Sequence, residues 1–300
     1  MSKKLRVGLA LGGGGARGLA HVGVLKVLEA HQIPIDVIAG TSIGAIIGAF
    51  YALHPAEAGK LEERTKAFVQ APEFKESGLD LFKKKKAAEN FFGQVAKYVK
   101  ERVVINLAHS RPSLVGGWRV SRAVEFMLED QTFEQCRLPF ACVATDLVSG
   151  EEVIFREGSL RQAVAASMSI PGFLPPLQHD GHLLVDGAVV APVPINACKL
   201  LGAEVVIAVD VSQPLERAGH FENVIDVIFR TSTITSHHYK EMLLDYADVV
   251  IRPNVGDVHW SEFRKVRHVV AAGEQVTEQM LPKIQSLFEQ KRPLWRRLFG

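Results

Sequence analysis

The run IDVIAGTSIGAIIGAFYAL, residues 35–53, has no charged side chain after Asp36 and breaks once, at Gly40-Thr41-Ser42-Ile43-Gly44. Before the break, residues 35–39 are short and apolar, the pattern of a buried strand. After it, residues 43–53 mix Gly and Ala with larger apolar side chains and predict a helix that packs closely on a sheet. The uncharged stretch 37–56 is rich in Gly, Ala, Ser and Thr, whereas a membrane span needs about 20 strongly apolar residues. A strand, a tight turn and a buried helix fit it better.

Toward the N-terminus, residues 5–11 (LRVGLAL) predict another buried strand, stopped by glycine. Residues 12–15 form a glycine loop. Residues 16–30 predict a helix, with Leu19, Val22, Leu25 and Leu28 at helical spacing. Strand, helix, strand, helix in this order implies a parallel sheet with right-handed crossovers, and so an α/β fold.

Toward the C-terminus, residues 57–117 are more charged and predict helical cover or a lid over one end of the sheet. A helix is expected at 120–128, a strand pair at 140–145 and 152–155 about the Ser149-Gly150 turn, and a helix at 161–167. Residues 170–176 (IPGFLPP) hold three prolines and a glycine, which forbid regular structure. Short strands follow at 183–185, 205–211 and 249–251, with helices at 223–246 and 262–288. No repeat or low-complexity linker interrupts the chain, so one domain over 1–300 is expected, its motifs confined to about 5–211.

The bulk composition narrows the partners. A 300-residue chain with 47% hydrophobic and 23% charged residues can bury a large core. A net charge of +2 supplies no global field for nucleic acid. Three scattered cysteines form neither a CxxC pair nor a disulfide framework and point to a reducing, cytoplasmic setting. The apolar residues after Lys3, Lys4 and Arg6 are too few for a signal peptide. Basic residues cluster at Lys83 to Lys86 and in the final RPLWRRLFG, 292–300. The first is read mainly as a solvated face. The second mixes basic and large apolar groups, as peripheral membrane anchors do.

The break at 40–44 matches G-x-S-x-G between a strand and a helix, the context of a nucleophile elbow. Ser42 is then exposed on a sharp turn, with Gly40 and Gly44 removing Cβ atoms that would clash. The competing reading is a packing turn with an N-cap serine. The loop GGGGARG, 12–18, also fits a dinucleotide fingerprint through Gly13, Gly15 and Gly18. That motif wants an acid at the end of the second strand. Asp36 is at its start, so a nucleotide cofactor is disfavoured. Gly13, Gly14 and Gly15 serve better as an oxyanion hole. Arg17 either fixes the loop, meets an anionic head group or is an ordinary surface arginine.

Ser42 needs a proton acceptor. His237, His238, His259 and His268 follow it in the chain, but none sits in an obvious strand-end loop. Asp186 ends a strand, precedes Gly187 and lies in an apolar segment, where desolvation raises a carboxyl toward a useful pKa. Asp146 and Asp210 also sit at strand ends and remain rivals.

GGGGARG, GTSIG and VDGA, in this order, resemble the patatin-like phospholipase family, most closely the small bacterial members related to neuropathy target esterase. ATDLVSGE (144–151), AASMSIPGFLPP (165–176) and VVAPVPI (189–195) extend the likeness. The resemblance implies a three-layer α/β/α sandwich with a mostly parallel sheet and a Ser–Asp dyad without histidine. Ser42 would be the nucleophile, Asp186 the base, and Gly13 to Gly15 the oxyanion hole, with Gly18 and Gly187 as motif glycines. It implies hydrolysis of lipid acyl esters, such as phospholipids or lysophospholipids, without metal or cofactor, and contact with a membrane surface. The alternative is a non-catalytic regulator on the same fold, which would be expected to lack the serine or the acid. Oligomeric state is not legible.

Overall fold

The computed structural model describes residues 5–76, 113, 116–217, 219, 221 and 224–291. Eight strands form one sheet: β1 (Val7–Leu11), β2 (Val37–Thr41), β3 (Phe140–Asp146), β4 (Glu152–Phe155), β5 (Leu177–His179), β6 (His182–Asp186), β7 (Val205–Val209) and β8 (Val249–Ile251). Their order is β5-β6-β3-β2-β1-β7-β8, with β4 also paired to β3. The run β3-β2-β1-β7-β8 is parallel, and β4, β5 and β6 pair antiparallel. All residues of β1, β2, β3 and β7 are buried, as befits strands covered on both faces.

The two faces differ in side-chain size. Leu9, Leu11, Ile38, Cys142, Ile207 and Val209 point into the larger core. That side is covered by α1 (Ala20–Ala30), α2 (Ile43–Leu53), α3 (Ala58–Gln70), α4 (Pro72–Glu76), α5 (Trp118–Met127), α6 (Leu160–Ser167) and the C-terminal helix Val266–Lys291. The alternate residues Ala10, Ala39, Ala141 and Ala208 line the other face with methyl groups. There α7 (Ile195–Leu200) packs with the end of α8 (Val224–Leu244), which makes the third layer of an α/β/α sandwich.

The predicted helix 43–53 has the observed bounds, and the predicted strand 249–251 also forms as expected. Several expected bounds shift. Residues 16–30 divide into a 3₁₀ turn, Gly15–Leu19, and α1, because Gly15 has φ +59° and Ala16 N–H is drawn to the Trp260 carbonyl. The strand predicted at 35–39 runs Val37–Thr41; just before it, Asp36 meets Val7 twice, its carboxylate accepting the Val7 N–H and its own N–H donating to the Val7 carbonyl. The predicted strand 205–211 ends at Val209. Two elements were not anticipated: β5, joined to β6 by Asp180 and Gly181 at φ +46° and +83°, and the six-residue α7. Of the expected cover at 57–117, α3 and α4 are helical; 77–112 and 114–115 lie outside the described residues, as do Lys83 to Lys86 and 292–300. Among the described residues no helix is long and apolar enough to cross a membrane.

Candidate active site

Sheet register brings the distant motifs together. Along β3, residues 140–143 pair with β2, 142–145 with β4 and 144–146 with β6. A strand has two edges, and β4 overlaps both other partners. Therefore β2 and β6 must share the remaining edge, end to end. The residue after β2 is Ser42 and the last residue of β6 is Asp186, so their meeting is a consequence of pairing. Ser42 Oγ donates to Asp186 Oδ2 at 2.6 Å across 144 residues of chain.

The turn at Ser42 is strained, at φ 55° and ψ −122°. Such a conformation costs about 1–3 kcal/mol and persists only where its surroundings enforce it. Here Ser42 N–H donates to Ser167 Oγ at 2.9 Å, and Ser167 Oγ donates to the Val143 carbonyl. Thr41 Oγ1 donates to the Ala191 carbonyl. A Cβ on Gly40 would lie 2.3 Å from the Gly44 carbonyl oxygen, and one on Gly44 2.1 Å from that of Leu11. Gly18 and Gly187 are equally constrained, by Ile43 at 2.2 Å and the Val143 carbonyl at 2.1 Å. Gly40, Gly44 and Gly187 thus mark backbone crossings with no room for a side chain, and Gly18 lies flat against the Ile43 side chain.

Asp186 is completely buried. Its Oδ1 accepts the Ala188 N–H at 2.9 Å while Oδ2 holds the serine hydroxyl. Burial pushes its carboxyl up to about 7, against the downward pull of those two bonds. A carboxylate tuned near neutrality can take a proton and return it.

The two rival acids are otherwise engaged. Asp146 accepts from His182 Nδ1 and from the amides of Val148 and Leu183, which hold its carboxyl far below the usual range. Asp210 pairs with Lys240 Nζ at 2.9 Å. The histidines are also elsewhere. His259 Nδ1 meets Ser261 Oγ, and His268 Nε2 faces the Val255 carbonyl. His237 and His238 lie on α8; His237 lines the small cavity in front of Gly13. No histidine hydrogen-bonds to Ser42 or Asp186 among the described residues.

The glycine loop leaves β1 and passes directly over Ser42: a Cβ on Gly13 would lie 3.3 Å from that of Ser42. The expected trio of donors is reduced to two. Gly13 N–H donates to the Pro192 carbonyl at 2.9 Å, so it is spent on holding the loop. The N–H groups of Gly14 and Gly15 meet no acceptor among the described residues. Of the three readings of Arg17, its contacts fit the first, fixing the loop. Arg17 has no exposed surface, its Nε donates to the Val258 carbonyl at 2.9 Å, and burial lowers it to about 10. It ties the loop to the C-terminal part of the chain and offers nothing to a head group in solution.

Three supports escaped the sequence reading. Ser167 lay inside AASMSIPGFLPP without a role. Trp260 supplies the carbonyl under Ala16 and would sit 2.4 Å from a Cβ on Gly15. His21 is fully buried, and its Nε2 donates to the Gly12 carbonyl at 2.8 Å; burial lowers it to about 4, so it is neutral. Only Ser167 had a local signal, its place in a quoted motif. The others are set by tertiary contact.

The fold and the paired groups define an α/β protein with a serine–carboxylate couple at the C-terminal ends of its strands. The model of the patatin-like phospholipase family matches residues 9–199, and the chain belongs to that family. It is 35% identical over 207 residues to human patatin-like phospholipase domain-containing protein 6, covering 68% of this chain and 13% of that protein. It is 26% identical over 307 aligned positions to lysophospholipase NTE1 of Debaryomyces hansenii, covering 92% of this chain and 18% of that one. The chain therefore spans under a fifth of the length of these relatives, which are eukaryotic. Among solved structures it is similar to VipD from Legionella pneumophila, with TM-score 0.46 and 14% identity over 94% of this chain and 67% of that one.

Proposed function

We propose that the chain is a lipid acyl-ester hydrolase in which Ser42 is the nucleophile and Asp186 the general base. Asp186 takes the hydroxyl proton as Ser42 Oγ attacks the ester carbonyl. The developing oxyanion is met by the Gly14 and Gly15 amides, donors of a kind worth about 10²–10³ in rate each. Asp186 then protonates the departing alcohol. A water molecule, deprotonated in turn by Asp186, cleaves the acyl-enzyme. The observation that carries this reading is the 2.6 Å contact between a strained serine and a buried carboxyl near neutrality. Family membership favours a phospholipid or lysophospholipid as the ester, which is reached at a membrane surface.

The test is turnover of lysophospholipids and p-nitrophenyl butyrate. Ser42→Ala and Asp186→Asn should each lower kcat by about 10³ or more, with the fold unchanged by circular dichroism. Wild-type turnover in the Ser42→Ala protein would sink the assignment.

A further inference from the structure

Among the described residues, the two most exposed large apolar side chains, Val148 at 79% and Val224 at 73%, lie at the end of the sheet that carries Ser42. Val148 and its half-exposed neighbour Leu147 follow the C-terminus of β3, in the turn to β4. Val189 is exposed just after Asp186, in the 3₁₀ turn Gly187–Val189, and lines the cavity in front of Gly13. Helix α8 contributes most. It links the C-terminus of β7 to the start of the parallel strand β8, so it runs back along the sheet and begins on the side of the site. Its residues Ser236, His237 and Tyr239 line the cavity at Gly13. At a rise of about 1.5 Å per residue, the part before Ser236 extends about 18 Å farther along the helix axis. The exposed side chains there are Val224, Val227, Ile228, Thr231, Ser232 and Thr235, and not one is charged. Asp226 and Arg230, the two charges of this stretch, are half-buried, and Arg230 Nη2 donates to the Glu216 carbonyl. A helix facing water turns its polar side outward; this one turns an apolar side outward where it has left the sheet.

In the sheet, β3 lies on one side of β2 and β7 on the other, so these apolar groups flank the strand whose end carries Ser42. We propose that Leu147, Val148, Val189 and the first turns of α8 seat this end of the molecule on a lipid surface, presenting Ser42 to esters held there. The occupant is a lipid surface and not a second copy for two reasons. The apolar groups come from a strand turn, a 3₁₀ turn and a helix, whereas helix pairing would use α8 alone. A second copy on this face would also close the cavity at Gly13 to substrate. Because the exposed groups of α8 are uncharged there, apolar insertion supplies the affinity and zwitterionic lipid suffices. The proposal rests on the hydrolase reading of Ser42 and adds to it the face by which the substrate arrives.

The experiment measures co-sedimentation of the full-length chain, carrying Ser42→Ala so that no lipid is consumed, with phosphatidylcholine vesicles. In that background Val224→Ser with Ile228→Ser, and separately Leu147→Ser with Val148→Ser, should each lower the partition coefficient about tenfold. With Ser42 restored, each pair should lose turnover of vesicle phospholipid by a similar factor. Turnover of p-nitrophenyl butyrate, which is soluble and needs no docking, should stay within about twofold of the wild type and shows that the fold is intact. A parent protein that does not bind the vesicles, or either pair binding as the parent does, overturns the surface. A parent that is dimeric in solution and becomes monomeric on Val224→Ser with Ile228→Ser gives the face to a second copy and overturns it equally. Because binding is read without turnover, the two levels fail separately. Vesicle binding that depends on these residues, with no turnover of any ester by the wild type, defeats the hydrolase reading and leaves the lipid-facing surface standing.

Discussion

At the scale of the residue, the account turns on Asp186. As a general base it must be ionised, so kcat/KM should climb about tenfold per pH unit below about 7 and level off above. A stopped-time ester assay from pH 5 to 9 checks this. A plateau reaching down to pH 5 would mean that a group of ordinary carboxylate pKa is the base. The same burial has a cost in stability. A carboxyl raised from 3.8 to about 7 by the fold favours the native state fully below pH 3.8, and that contribution is lost as pH rises through about 7. The shift corresponds to on the order of 4 kcal/mol. Asp186→Asn keeps the shape and the Ala188 bond without the charge, while its Nδ2 becomes a donor toward Ser42 Oγ where the carboxylate accepted. It should therefore raise Tm at pH 8.5 by several degrees, with the gain shrinking toward pH 5, while turnover is lost. An unchanged or lower Tm at pH 8.5 would show that the carboxylate is better solvated than its burial implies. The elbow was legible in advance because its demand for glycine is local. Local chemistry favoured Asp186 only modestly over Asp146 and Asp210, since what distinguishes them is who reaches them in three dimensions.

At the scale of the element, close backbone approach does what side-chain packing does elsewhere. Helix α1 crosses the C-terminal helix Val266–Lys291 at two glycines. A Cβ on Gly23 would lie 2.1 Å from the Val270 carbonyl oxygen, and one on Gly273 2.1 Å from that of Ala20. Neither neighbour is a flexible side chain. Gly273→Ala should therefore destabilise by about 1–3 kcal/mol through overpacking. Gly59→Ala, on α3 with open space around it, should be neutral or slightly stabilising. Thermal denaturation of the two variants decides; equal effects would mean that the crossing relaxes freely. The elements that were missed have equally physical reasons. Helix α7 is too short for a 3.6-residue period to show and lies behind Pro192 and Pro194. Strand β5 is three residues long, and its one signal was Asp180-Gly181, a pair suited to a tight hairpin with both residues at positive φ.

At the scale of the whole molecule, the site is assembled from contacts that no local pattern encodes. The end-to-end sharing of one β3 edge by β2 and β6 brings Ser42 to Asp186. The stretch after 215 carried no recognisable motif, yet Val258 and Trp260 hold Arg17 and Ala16 and so fix the glycine loop from below. The parallel sheet could be expected from alternating strands and helices, and the three layers from the family resemblance. The floor under the glycine loop could not, because Arg17 and Val258 are 241 residues apart. The proposed chemistry converges on one hydroxyl and the carboxylate that accepts from it. The most direct measurement is covalent labelling with a fluorophosphonate at pH 8, followed by mass spectrometry of the tagged peptide. A single adduct on Ser42, absent in Ser42→Ala and formed far more slowly in Asp186→Asn, is the result expected. An adduct on another serine, or equal labelling without the Asp186 carboxylate, would contradict the account.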